Sequence, residues 1–550
     1  MKIVIVGGVA GGMSAATRAR RLDEHADITV YEQGPYVSFA NCGLPYFVGG
    51  VIAQRDALLL QTPESLWNRF RINVQVQTRV VSIDAAAKTV TVVDLVSGDT
   101  RVDSYDALIL SPGASPRILD IPGIERALHL RDVPDATAIK VAAQKLHAKS
   151  VVVLGAGFIG IELAENLHVR GLAVTIVQSG ATVLPGFDPE MIEPFQSMLV
   201  SNGISLELNA TAEEIGASSI TLSNGRQLDA DIVISSVGVQ ADSALAVSAG
   251  LRMADSGAIW VDANQRTSDP HIFAVGDAAE KTNLLTGDGQ PIWLANLANR
   301  HGRLVADVVA GDGAEARPNI GTGIIGAFGM VAAFTGLTEK QAVKNGITHS
   351  IAHLHPGSHA GYYPGSERID IKVLFDPENG RLLGGQAVGR DGADKRIDVI
   401  ATAIYAGLTI RDLMNLELAY APQFGSAKDA INQVGYVGDN MLAGYTSTVQ
   451  WHELDEEMAH GAMLIDVRTE KENDAGAIPG SICIPVDELR EHLEKNAADF
   501  DGKRVIVHCQ VGQRGHTATQ ILRAHGVNVA NLDGGWLTWS AGQRALGRAV

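Results

Sequence analysis

Three cysteines, Cys42, Cys483 and Cys509, stand in a chain of 550 residues. So few thiols make no disulfide framework, so any sulfur chemistry runs on single thiols in a reducing compartment, the cytoplasm. Cys509 follows the apolar run RVIVH and opens the loop Cys509-Gln-Val-Gly-Gln-Arg514, after which a helical pattern begins. Successive backbone N–H groups in such a loop form a nest for an anion, and the following helix dipole adds to it. The anion would be a thiolate or a persulfide, with Arg514 as a fixed positive charge beside it. A cysteine that merely ends a strand explains neither the Gly-Gln-Arg loop nor the helix start. Cys42 lies in SFANCGLPY, residues 38–46, between Asn41 and Gly43. To act as a nucleophile it must be a thiolate, which a helix N-terminus can favour; the plainer reading is a buried structural cysteine. Cys483 alternates with Ile482 and Ile484 and reads as a small core hydrophobe.

Two glycine turns are the other chemical signal. KIVIVGGVAGGMSAATRARRL followed by ADITVYEQ, and SVVVLGAGFIGIELAENLHVRG followed by AVTIVQSG, share one pattern. Each reads as buried strand, glycine turn, helix and second strand, the unit that binds a dinucleotide with its pyrophosphate on the helix N-terminus. The second copy is complete, Gly155-x-Gly157-x-x-Gly160, whereas the first has Val9 where a middle glycine is expected between Gly7 and Gly12. Glu32 ends the second strand of the first unit, 20 residues after Gly12, where a ribose-binding carboxylate belongs. The equivalent residue of the second unit is Gln178, whose amide can still bond a ribose hydroxyl. No Arg or Lys follows in Gln178-Ser179-Gly180, which favours NADH over NADPH.

These elements need a scaffold. At roughly 150 residues per domain the length predicts three to four domains. Hydrophobic residues are 46% and charged residues 19% of the chain, enough for ordinary cores. The net charge of −18 argues against nucleic acid or an anionic membrane as partner. Residues 1–16 resemble a signal peptide only until Gly7-Gly8 and Gly11-Gly12 break the apolar run; strand–turn–helix is the better parse. No run of 18 apolar residues predicts a membrane span. Residues 321–440 read as a separate α+β unit, 441–449 as a linker, and 450–550 as a small α/β domain with a mainly parallel sheet. HSIAHLHPGSHAG, residues 349–361, offers imidazoles without thiols; it reads as a loop feature, and no metal site is expected.

The first 440 residues resemble the flavin-dependent pyridine nucleotide–disulfide oxidoreductases, and within them the coenzyme A-disulfide reductases. The paired dinucleotide units carry the resemblance, together with YDALILSPGASP (105–116), TSDPHIFAVGDAAE (267–280) and the single cysteine of SFANCGLPY. The C-terminal segment resembles rhodanese domains through LIDVRTEKENDAGAIPGSICIP (464–485) and HCQVGQRG (508–515), with Ala477 where many rhodaneses have His. The fusion resembles the NADH-dependent persulfide reductases.

The resemblance implies two Rossmann-like domains, an α+β dimerisation domain and a rhodanese-like α/β domain. The expected boundaries are 1–114 and 241–320 for FAD, 115–240 for NAD(P)H, 321–440 for dimerisation, a linker at 441–449 and rhodanese at 450–550. Implied cofactor contacts are Gly7, Val9, Ala10, Gly12, Glu32, Val80, Ser111, Pro112, Gly113, Gly276 and Asp277, then Gly155, Gly157, Phe158, Ile159, Gly160, Gln178 and Gly238. Asp277 would hydrogen-bond the ribityl chain of FAD. Cys42 and Cys509 are the implied catalytic thiols, with Arg514, and with Tyr362 and Tyr420 given by a dimer partner as donors to the departing sulfur. Only the resemblance selects Tyr362 over Tyr363. Coenzyme A would be met by Ser14, Arg18, Arg21, Ser38, Asn41, Arg71 and Lys428. Arginine suits phosphate because it donates bidentately, although Arg18 and Arg21 read equally well as a solvated helix face. The implied reaction is NADH-dependent reduction of coenzyme A persulfide, coenzyme A disulfide or polysulfide. The rivals are an NADH oxidase or peroxidase cycling Cys42 through sulfenic acid, and a C-terminal domain that only docks sulfur-carrying partners.

Overall fold

A computed structural model describes residues 1–145 and 148–550, which fall into two compact units. The first unit comprises Met1–Ser179 and Ile204–Gly321. Its larger sheet is parallel, in the order Ile272–Ala274, Ala107–Leu110, Lys2–Val6, Asp27–Tyr31, Asn73–Gln75. The central strands KIVIV, DITVY and ALIL are apolar almost throughout because helices or loops cover both faces. Helix Ala10–Leu22 packs on helix Ala295–Val309 at close range; a Cβ on Gly302 would lie 2.2 Å from the Gly11 carbonyl oxygen. The second sheet, Ser205–Leu208, Ala173–Gln178, Ser150–Leu154, Ile232–Ser235, is also parallel. The chain passes from one sheet to the other at Ala114–Pro116 and returns at Val239–Ala241, and these two strands pair antiparallel. Both sheets match the mixed α/β architecture expected.

The second unit comprises Gly180–Gly203 and Thr322–Val550. An antiparallel sheet runs Gly323–Ala327, Met330–Gly336, Leu382–Gly389, Ile369–Phe375, Ser350–Leu354. A parallel sheet runs Thr448–Val449, Asn528–Leu532, Arg504–His508, Met463–Asp466, Ile482–Cys483.

Four details depart from the sequence reading. Residues 180–203, expected inside a continuous 115–240 domain, group with the second unit. Phe187 packs edge-on against Phe334, and buried Asp188 and Glu190 pair with Lys372. The 441–449 linker is shorter than expected, because helix Ala430–Leu442 occupies its start and Thr448–Val449 is an edge strand on Asn528–Leu532. The histidine run is a loop only in its second half: Ser350–Leu354 is a strand, and His353 and His355 sit against carboxylates. Cys483 is half-buried at a sheet edge, its sulfur 3.9 Å from the Arg468 carbonyl, while Ile482 is exposed. No helix among the described residues is long and apolar enough to cross a membrane.

Candidate active sites

The first unit holds a cleft of about 1570 Å³, larger than the roughly 300–1,000 Å³ of drug-sized pockets and ample for an extended dinucleotide. Gly7, Val9, Glu32, Asn41, Val80, Ser111, Pro112, Gly113 and Asp277 line it. Ala10, Gly12 and Gly276 do not. Ala10 opens the helix, Gly276 takes a left-handed φ of 71° just before Asp277, and Gly12 lets helix and strand approach: a Cβ there would lie 2.0 Å from the Gly7 carbonyl oxygen. Glu32 anchors the glycine turn by accepting from the Gly8 N–H at 2.8 Å and the Gly34 N–H at 2.7 Å. Burial raises the Asp277 carboxyl above its usual range, and Lys281 opposes the shift. Lys281 donates to the Gly276 and Ala279 carbonyls, and burial lowers it to about 8. The cleft's size, its glycine turn and the carboxylates of Glu32 and Asp277 fit a flavin dinucleotide.

In the second dinucleotide unit the three glycines divide their work. Gly155 has φ 96°, and a Cβ on Gly160 would lie 2.1 Å from the Gly155 carbonyl oxygen. A Cβ on Gly157 would meet no protein atom within 4 Å, so the fold itself does not require glycine there. This explains Val9: the first and third glycines of each copy are demanded by the chain itself, and the middle one is not. Gln178 repeats the anchoring part of Glu32, its Oε1 accepting from the Ala156 N–H at 3.1 Å. Phe158 and Ile159 open helix Phe158–Val169, and Gly238, with φ 108°, precedes the return strand. Gly160→Ala should cost about 1–3 kcal/mol by overpacking, seen as a lower unfolding midpoint. Gly157→Ala should leave the midpoint in place and raise the KM for NADH about tenfold or more.

Cys42 lies in the turn Asn41–Gly43 immediately before helix Leu44–Gly49 and reaches the surface. Its sulfur is nonetheless partly desolvated; this and the charges of Glu162 and Asp277 push the thiol above its ordinary range. Burial also raises the Glu162 carboxyl, which accepts from the Tyr46 hydroxyl at 3.1 Å. Sequence reasoning missed Glu162 and Tyr46; an acidic residue in the apolar run GFIGIELAE was the available signal.

The proposed coenzyme A residues scatter. Arg18 is paired with Asp307 at 2.6 Å, and Ser14 donates to Asn299 at 2.8 Å. Arg21 lies over the Phe70 ring, whereas Arg71, with φ 49°, follows Phe70 and lies over Trp67. Arg18 and Arg21 thus face different neighbours, and Arg21 and Arg71 lie at one corner around Phe70. Buried Arg20 fixes that corner by donating to the Phe70 and Arg71 carbonyls. Ser38 has a left-handed φ of 51°, and its N–H donates to the Gly8 carbonyl.

In the second unit, Tyr362 and Tyr420 are exposed and their hydroxyls lie 2.8 Å apart. Tyr363 instead packs edge-on against His359. The hydrogen bond from Tyr362 raises the Tyr420 phenol. Lys428 is exposed near the start of helix Ala430–Leu442.

Cys509 is fully buried at the end of strand Arg504–His508, and the Gly512 N–H points at its sulfur from 3.2 Å. Gly512, with φ 94°, caps helix Gln513–Ala524. Arg514 pairs bidentately with Glu472 at 2.8 and 2.6 Å, near enough to Cys509 for their charges to interact. Arg514 holds the Glu472 carboxyl down at about 2. Arg468, bound to buried Asp466 at 2.7 Å, donates to Gln510 at 3.3 Å and lies over the Trp536 ring. Glu472 and Arg468 were also missed; the Thr469–Glu472 capping box fixes the segment carrying Glu472. Glu472→Gln should free the Arg514 fork and slow any transfer at Cys509 about tenfold, read from kcat at constant KM.

Comparison with known proteins places these sites in context. Residues 1–302 match the pyridine nucleotide-disulphide oxidoreductase family, 327–430 its dimerisation domain and 450–542 the rhodanese-like domain. The coenzyme A disulfide reductase of Staphylococcus haemolyticus is 35% identical over 436 residues, 79% of this chain and 98% of the relative. The reduced CoADR-RHD of Bacillus anthracis superposes with a TM-score of 0.97 at 43% identity, covering 99% of this chain and 98% of that one. A NAD-dependent persulfide reductase from A. fulgidus gives 0.91 at 34% identity, covering 98% of this chain and 100% of that one.

Proposed function

The chain belongs to the pyridine nucleotide-disulphide oxidoreductase family, and from that premise we propose that it reduces the sulfur–sulfur bonds of coenzyme A persulfide, coenzyme A disulfide or polysulfide with NADH, carrying sulfane sulfur on Cys509. The observation behind this reading is that one chain holds two separately built thiol sites, a surface cysteine in a dinucleotide-binding unit and a buried cysteine in an arginine-braced loop. FAD, which the family implies, supplies when bound in the cleft a two-electron relay between NADH and sulfur.

The chain's own residues do the rest. Arg21 and Arg71 meet coenzyme A phosphates, with Ser14, Arg18, Ser38, Asn41 and Lys428 completing the contacts. The Cys42 thiolate attacks the persulfide R–S–SH, expelling HS⁻ and leaving the mixed disulfide Cys42–S–S–R. Two electrons and one proton then return the Cys42 thiolate and release the thiol R–SH. Overall, R–S–SH and NADH give R–SH, HS⁻ and NAD⁺. In a homodimer the Tyr362–Tyr420 pair of one protomer serves the Cys42 of its partner and donates the proton to the leaving sulfur. The Cys509 thiolate attacks the outer sulfur of a sulfane donor R–S–SH, R–SH leaves, and the charge of the resulting Cys509 persulfide is held by Gly512 and Arg514. Because Cys509 is present, we read the C-terminal domain as a sulfur carrier rather than a docking module only. The cytoplasm suits these free thiols.

A substrate panel run with NADH and NADPH side by side tests the reading. With no Arg or Lys in Gln178-Ser179-Gly180 to meet a 2′-phosphate, NADH should exceed NADPH by about tenfold or more in kcat/KM. Equal use of both nucleotides, or activity on no sulfur substrate, would overturn it.

A further inference from the structure

His353 lies in strand Ser350–Leu354 with its side chain fully enclosed. Its Nδ1 is 2.8 Å from Asp533 Oδ2, and the same oxygen accepts its backbone N–H at 3.0 Å. Its Nε2 is 3.2 Å from Glu190 Oε1. Each ring nitrogen faces a carboxylate oxygen, so each donates and the ring is an imidazolium. Around it, Lys372 pairs with Glu190 at 2.6 Å, Asp188 at 2.9 Å and Glu339 at 2.6 Å. Gln450 donates to Asp533 at 3.3 Å, and nearby His355 bonds Asp370 at 2.6 Å and Thr538 at 2.9 Å. Removing one member of such a buried set leaves an uncompensated charge.

Asp533 leads directly to the Cys509 loop. Gly534 and Gly535 follow it, both left-handed, with φ 66° and 61°. A Cβ on Gly534 would lie 2.8 Å from the Cβ of His353, and one on Gly535 would lie 2.3 Å from the Cys509 carbonyl oxygen. The next two N–H groups hold the loop: Trp536 donates to the Cys509 carbonyl at 2.8 Å and Leu537 to that of Gln510 at 3.1 Å.

We infer that His353 is a positioning residue for the sulfur-carrying loop. Its imidazolium, held between Glu190 and Asp533, fixes the Asp533–Gly535 turn and through it the backbone of Cys509 and Gln510. The C-terminal domain therefore transfers sulfur as a part built into the rest of its unit, not as a self-sufficient module. The inference rests on Cys509 being a sulfane-sulfur carrier.

The test uses the full-length, flavin-loaded protein. Thiocyanate formation from thiosulfate and cyanide is followed from pH 6 to 10 in the wild type, His353→Gln, the double variant His353→Gln/Asp533→Asn, and Cys509→Ala. His353→Gln should lower kcat about tenfold or more at neutral pH, with KM little changed. The double variant, an amide pair without charge, should recover most of the loss. The two carboxylates raise His353 from 6.5 to about 9, against burial. A raised pKa means the clamp is complete below pH 6.5 and is lost as pH rises through about 9. The wild-type advantage over His353→Gln should therefore vanish above that pH. NADH-driven reduction of coenzyme A disulfide should stay unchanged in both variants, reporting an intact fold. Transfer by the variants equal to wild type at every pH, while Cys509→Ala is dead, overturns the inference. Transfer that survives Cys509→Ala overturns instead the reading of Cys509. If a variant fails to fold, the wild-type profile decides: kcat rising without a break through pH 9 to 10 contradicts the clamp.

Discussion

Cys42→Ser is expected to lose NADH-dependent reduction of coenzyme A disulfide and persulfide by about 10⁴-fold or more in kcat, the scale seen when a nucleophile is removed. A serine hydroxyl at neutral pH offers neither the thiolate nor a sulfur able to hold the mixed disulfide. Neither remaining cysteine is a comparable surface thiol: Cys483 is half-buried at a sheet edge and Cys509 is fully buried in its own loop. The variant should keep its fold and its flavin, since Cys42 reaches the surface and serine is nearly isosteric with it. Anaerobic NADH should still bleach the flavin absorbance at the wild-type rate, locating the loss at sulfur. Steady-state assays with both substrates, together with that absorbance change, check the prediction. Retained turnover would move the chemistry away from Cys42.

Cys509→Ala is the second large effect. Transfer of sulfane sulfur to cyanide should fall to the uncatalysed background, a loss of about 10³-fold or more. Reduction of coenzyme A disulfide by the same preparation should be unaltered. The asymmetry follows from how the sites are built. The anion cradle of Gly512 and Arg514 has one occupant, the Cys509 sulfur, and without it nothing in the loop can hold a sulfane atom. His508 offers no substitute, because burial lowers it to about 4 and leaves it neutral inside the sheet. Paired assays on one sample separate the two activities without dividing the chain.

The parts of this architecture that repeat along the chain were legible in it. Strand, glycine turn and helix leave a local signature, so both dinucleotide units, Glu32 and Gln178 could be placed from spacing alone. The loop from Cys509 to Arg514 is equally local. What escaped was non-local. Glu162 lies 116 residues from Tyr46, yet the two hydrogen-bond beside Cys42. Glu472 braces Arg514 across 42 residues, and His353 meets Asp533 across 180. No periodicity encodes such pairs; they form because buried charges must find partners wherever the fold brings them. The same logic explains the misread histidine run. Ser350–Leu354 carries a buried charge in a strand, and a buried histidine looks like a loop histidine until its carboxylates are seen. The surroundings of Arg18 and Arg21 were hidden for a related reason. Helical spacing put them near one face, but Asp307 and Phe70 drew them to different neighbours. Which of Tyr362 and Tyr363 would meet Tyr420 was also non-local; it is Tyr362, at 2.8 Å.

The most direct test of the account is the anaerobic stoichiometry of the wild-type enzyme with NADH and coenzyme A persulfide. One sulfide and one coenzyme A thiol should appear for each NADH consumed, with no dependence on oxygen. NADH consumption that requires oxygen and releases no sulfide would contradict the account and identify Cys42 as a sulfenic acid centre instead.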